Sequence, residues 1–116
     1  MLMTSLLAEL YNCLPLIEDE SALAAAACEA AESVGATVIG NYHVRYVPHG
    51  LTIAVFLAES HITLTTWPEF RLVLLDVLLC NPEMDHNLVT AEIKSRICPD
   101  GPMIIHEVPR KIASSA

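Results

Sequence analysis

Apolar and polar positions alternate with two different periods along this chain, and the changes of period divide it into elements. Leu6 to Tyr11 reads LLAELY, which is compatible with a first strand and also with a helical turn. From Ser21 the run SALAAAACEAAESVG puts Leu23, Ala27, Ala30 and Val34 on one helical face. Glu29 and Glu32 fall off that face, and Gly35 supplies a left-handed stop. Thr37 to Val47 is rich in β-branched and aromatic residues. Pro48, His49 and Gly50 then make a turn before the apolar run Leu51 to Ala58, which predicts a hairpin. In HITLTTW, Ile62, Leu64 and Thr66 alternate with Thr63, Thr65 and Trp67, the period of a strand with one buried face. Leu72 to Leu79 is almost continuously apolar and open to a buried strand or a short helix, with its length and the preceding turn favouring strand. Asp76 is the polar exception inside it. Asp85 as an N-cap, Val89, Ile93 and Ile97 spaced four apart, and Lys94 and Arg96 in the last turn predict a second helix. Pro99, Asp100 and Gly101 stop it, and Met103 to Val108 forms a final strand.

The order β, α, β, β, β, β, α, β leaves few long parallel crossovers. The expected class is α+β, a two-layer α/β sandwich whose mainly antiparallel sheet carries two helices on one face. With 116 residues, 53% of them apolar, the chain suffices for a single folded domain over 1–116. A net charge of −8 opposes a phosphate backbone and favours cationic ligands, so no nucleic-acid partner is expected. No apolar run approaches the roughly 20 residues of a membrane span. The opening MLMTSLLAEL lacks a basic segment and is interrupted by Glu9, so neither membrane nor export is expected, and the location is read as cytoplasmic. Cys13, Cys28, Cys80 and Cys98 form no CxxC pair and are read as free thiols in a reducing compartment. The histidines show no metal-ligand spacing, so no metal is expected.

Chemistry concentrates in Glu59 to Phe70, ESHITLTTWPEF, where two carboxylates, a serine, a histidine and threonines lie between hydrophobic strands. On pattern alone this is a solvated strand end with a polar outer face. The segment, however, resembles the self-cleavage site of the prokaryotic S-adenosylmethionine decarboxylases. LLAELYNC, GATVIGNYHVRYVPHGLT, DVLLC and IIHE occur in the order of that family. The resemblance implies that Ser60 attacks the Glu59 carbonyl and splits the protein into a β chain, 1–59, and an α chain, 60–116. Ser60 becomes a pyruvoyl group, so no external cofactor is needed. That group would serve as the electron sink for decarboxylation. It further implies Cys80 as the catalytic proton donor, Glu69 as acceptor for ribose hydroxyls, Tyr46 as the aromatic against adenine, and a homodimer. Cys13 and Cys28 are read as ordinary cysteines.

The sequence departs from the family pattern at several positions. Thr65 stands where the family has a histidine that assists processing, while Thr52 keeps a hydroxyl where the family has a serine. Asn81 replaces a glycine after the cysteine, Arg71 and Leu72 replace a glycine-tyrosine pair, and the glycine-arginine-histidine entry before the first strand is absent. These departures keep two alternatives in view: a decarboxylase of ornithine or arginine on the same scaffold, and an unprocessed, non-catalytic binding protein.

Overall fold

The computed structural model describes residues 2–58, 60–80 and 83–111; Glu59 and Asn81 lie outside the described residues. Strand β1 (Leu2–Leu10) leads through a 3-10 turn (Pro15–Glu18) into helix α1 (Glu20–Ser33). Strands β2 (Val38–Arg45), β3 (Leu51–Leu57) and β4 (His61–Trp67) follow. A second 3-10 turn (Pro68–Phe70), β5 (Leu72–Leu78), helix α2 (His86–Ile97) and β6 (Met103–Lys111) complete the order. The strands form one sheet in the order β2-β3-β4-β5-β1-β6, and every pairing is antiparallel. This is the expected α+β sandwich.

Each helix begins and ends where its local chemistry dictates. The Asp19 carboxylate accepts the Ser21 and Ala22 N–H groups at 3.0 and 3.1 Å, satisfying donors that have no partner inside the helix. Gly35, at φ 91°, takes the left-handed position after the last turn of α1. Asp85 caps α2 by accepting from Asn87 N–H at 2.8 Å. At the other end Lys94 Nζ donates to the Cys98 and Pro99 carbonyls, both at 3.3 Å, where a cation suits the helix dipole.

The core lies between the helices and one face of the sheet. Leu23, Ala27 and Ala30 of α1 and Val89, Ile93 and Ile97 of α2 are fully buried against Leu6, Ile53, Val55, Ile62, Leu64 and Val77. Val34, at the α1 cap, is half-buried. The opposite sheet face has no helix over it among the described residues, and Leu7, Tyr42, Phe56, Leu74 and Val108 are exposed there. That explains why LLAELY is ambiguous as a pattern: the period of two is real, but Leu7 on the bare face is as apolar as Leu6 in the core. At the sheet edges, β2 carries a bulge between Val38 and Gly40, and β6 carries Pro109 opposite Thr4.

The cysteine expectation needs correction. Cys13 and Cys98 are joined in a disulfide, while Cys28 and Cys80 are free. The cause is tertiary. Leu14 N–H donates to Ile97 O at 2.8 Å and Tyr11 N–H to Pro102 O at 3.1 Å, which clamps the end of β1 against the end of α2. Both sulfurs are enclosed in that junction, and their sequence separation of 85 hides the meeting from any spacing rule.

Candidate functional site

The singled-out residues fall into two groups at opposite ends of β4. Ser60 is half-buried in the short connection between β3 and β4, where its carbonyl accepts Leu57 N–H at 2.9 Å. The register pairs His61 with Leu78, so Cys80, two residues beyond, lies at the same end of the sheet with its thiol free and half-buried. Just before it, Leu79 N–H donates to His86 Nε2 at 3.2 Å, which ties the exit of β5 to the first residue of α2. His86 was not singled out by sequence; no spacing rule links a strand exit to a helix start.

At the far end of β4, Thr52 and Thr65 are cross-strand partners with their Oγ1 atoms 3.1 Å apart. Thr52 Oγ1 is also 2.9 Å from Tyr46 Oη, which completes a chain of three hydroxyls. Glu69, in the 3-10 turn after β4, has Oε2 in contact with His49 Nε2. Tyr46, His49, Thr65, Thr66, Trp67 and Glu69 line one cavity of about 300 Å³. The β2–β3 turn that carries His49 is closed by Gly50 at φ 97°, where an added Cβ would lie 3.0 Å from the Thr66 carbonyl oxygen. Arg71 occupies another left-handed position, φ 51°, and its Nε donates to Cys13 O at 3.3 Å. A glycine suits that backbone better, so Arg71 carries local strain there.

Between the two groups the bare face is grooved. A cavity of about 400 Å³ holds Leu7, Glu9, Thr63, Thr65, Leu74 and Asp76. Asp76, the polar exception in β5, therefore faces this groove and not the core. Another cavity of about 290 Å³, lined by Ser5, Leu7, His61, Asp76, Leu78 and Arg110, continues toward the Ser60 end. Glu9 is not a bare charge, since His106 Nε2 lies 2.8 Å from its Oε1. His43 turns to the helix side and pairs with Glu20 at 3.1 Å, away from the hydroxyl chain.

Ser60 and Thr65 are five residues apart along extended backbone, roughly 17 Å at 3.3 Å per residue. The structure thus places Ser60 and Cys80 at one end of the sheet and gathers Tyr46, Thr52, Thr65 and Glu69 at the other, but does not unite the two groups.

A sequence model of the S-adenosylmethionine decarboxylase family matches residues 4–111. The S-adenosylmethionine decarboxylase proenzyme of Thermosipho melanesiensis is 32% identical over 81 residues, 69% of this chain and 62% of that protein. The proenzyme of the same name from Pyrobaculum islandicum is 36% identical over 92 residues, 78% of this chain and 74% of that one. The chain thus spans about three fifths of the Thermosipho relative's length. The crystal structure of the adenosylmethionine decarboxylase of Aquifex aeolicus superposes with a TM-score of 0.83 at 26% identity, covering 99% of this chain and 95% of that one.

Proposed function

This chain belongs to the S-adenosylmethionine decarboxylase family, and we propose that it is a self-processing carboxy-lyase that decarboxylates S-adenosylmethionine to the aminopropyl donor of spermidine synthesis. The observation that carries this reading is Ser60 held through its carbonyl in the β3–β4 turn, with a free Cys80 thiol at the same sheet end. Ser60 Oγ adds to the Glu59 carbonyl carbon, its proton passes to the departing amide nitrogen, and the peptide becomes an ester. Loss of the Ser60 α-proton expels the Glu59 carboxylate and frees the end of residues 1–59. The aminoacryl group left on residue 60 takes up one water and releases ammonia, which leaves a pyruvoyl group at the head of residues 60–116. A half-buried turn beside a free thiol fits such a group, which supplies the electron sink for decarboxylation. Cys80 Sγ–H delivers a proton to the carbon that has lost carbon dioxide.

Tyr46 offers an aromatic face to adenine and Glu69 accepts from the ribose hydroxyls, with His49 on Oε2 fixing the carboxylate and leaving Oε1 for the ligand. The net charge of −8 favours the sulfonium cation. His49 also brings an imidazole to the cavity that holds Thr65, and takes over proton transfer where a threonine hydroxyl is a poor acid or base. The roughly 17 Å between the two groups supports a homodimer. Stacking two bare faces about a two-fold axis that crosses the strands lays one protomer's Tyr46–Glu69 cavity over its partner's Ser60, and covers Leu7, Phe56 and Leu74.

Intact mass of the purified, reduced protein is the test. Two fragments broken before Ser60, the C-terminal one reactive with a hydrazine, are expected, and Ser60→Ala stays whole. A single unreactive full-length species overturns the reading and favours a non-catalytic binding protein. Carbon dioxide release from S-adenosylmethionine, and not from ornithine or arginine, is expected. The reverse selects the amino-acid decarboxylase, a reading that the departures at Arg71, Leu72 and Asn81 fit.

A further inference from the structure

We propose that the Cys13–Cys98 disulfide is an inter-fragment bond that keeps the processed protein one covalent molecule; this rests on the proposed cleavage before Ser60. Cys13 lies in residues 1–59 and Cys98 in residues 60–116, so the bond spans the break and is the covalent connection between the two pieces among the described residues. Its setting is built for permanence. Cys13 and Cys98 are 1% and 0% exposed, the Cys13 N–H donates to Arg71 O at 2.9 Å, and Arg71 Nε returns to Cys13 O at 3.3 Å. Arg71 belongs to the C-terminal piece, so the same junction is bridged by hydrogen bonds as well as by sulfur.

The topology explains why such a bond matters after cleavage. The N-terminal piece contributes β1, β2 and β3, and the C-terminal piece β4, β5 and β6. In the sheet β1 sits between β5 and β6, so the two pieces are interleaved and neither retains a continuous sheet without the other. Once the peptide is cut, unfolding would separate two chains whose reassembly depends on concentration. The disulfide makes unfolding and refolding unimolecular again.

Reduction exposes the device. Dithiothreitol passes two electrons and two protons to the S–S bond, yielding two thiols and its own cyclic disulfide. Purified wild-type protein is denatured with and without dithiothreitol, and intact masses are compared. One species near 12.6 kDa without reductant and two, each near half of it, with reductant are expected. Iodoacetamide under denaturing conditions labels Cys28 and Cys80 before reduction and all four cysteines after it. In the native state, a tenfold dilution lowers the melting temperature of the reduced protein by more than that of the oxidised protein, because reduction adds a second chain to each dissociating unit.

Two separated fragments without reductant, with four labels before reduction, overturn the tie and leave the cleavage standing. One full-length species in both conditions, with two labels before reduction, overturns the cleavage reading and the inter-fragment role with it.

Discussion

Gly101→Ala tests how tightly the junction of β1, α2 and β6 is packed. A Cβ at Gly101 would lie 1.6 Å from Tyr11 O, 2.5 Å from Tyr11 C and 3.0 Å from Asn12 Cβ. Ordinary contacts between heavy atoms sit at about 3.5–4.0 Å, so relief requires backbone to shift by about 2 Å. No flexible side-chain end can absorb that. The shift breaks Tyr11 N–H to Pro102 O, now 3.1 Å, and pulls on the strand that the Cys13–Cys98 bond anchors. Overpacking costs about 3 kcal/mol at the top of its usual range, and the lost hydrogen bond about 1 kcal/mol more. At an unfolding entropy of about 2.1 cal/mol/K per residue, about 4 kcal/mol lowers the melting temperature of a chain this long by about 15 °C. Thermal denaturation followed by circular dichroism, in the uncut Ser60→Ala background so that one chain unfolds, measures the shift. Gly40→Ala is the control, because nothing lies within 4 Å of a Cβ there. It should change stability by less than about 0.5 kcal/mol. A Gly101→Ala protein melting within about 3 °C of its parent refutes the reasoning.

Thr66→Val removes the Oγ1 that accepts Leu51 N–H at 3.0 Å in a buried setting, and costs about 1–3 kcal/mol in urea titrations, with Thr66→Ser recovering most of it. His49→Ala slows self-cleavage, read as full-length chain accumulating in a time course after synthesis, while Thr65→His speeds it. An unchanged time course in both variants removes the imidazole from the processing step. Burial, then Glu32 and then Glu29, push the Cys28 thiol above its ordinary range. Its thiolate fraction is therefore small near neutrality. Native-state labelling by iodoacetamide at pH 8 should be slower at Cys28 than in a short model peptide, and should accelerate as the pH is raised; equal rates at pH 8 contradict the burial.

Where one physical cause dominated, the elements were legible from the sequence. The alternation of Ile62, Leu64 and Thr66 is the burial pattern of β4, and Asp85 and Gly35 mark helix ends because their local hydrogen bonding and backbone freedom are set by identity. The run Leu72 to Leu79 forms a strand over Leu72–Leu78, and Asp76 is accounted for by the bare face, which no linear pattern reveals. The site was legible as residue types and not as geometry. Nothing in linear spacing says that His49 meets Glu69, that Thr52 and Tyr46 join Thr65, or that these stand a strand's length from Ser60. Cross-strand register decides each of them. The Cys13–Cys98 meeting depends on how two element ends dock, and the cysteines' spacing carries no trace of that.

The outer strands bear on how such a molecule avoids endless growth. The bulge at Val38 and Gly40 bends one rim of the sheet, and Pro109 withholds an N–H from the other. A foreign strand finds no straight ladder to extend on either side, so adding copies rim to rim toward a fibre is discouraged. Stickiness is left to the broad apolar surface, and in the proposed homodimer a surface that mates with its own twin would be used up after one encounter. The same shaping of the margins that looks like a flaw in the pleating would then make the smallest closed assembly also the last one.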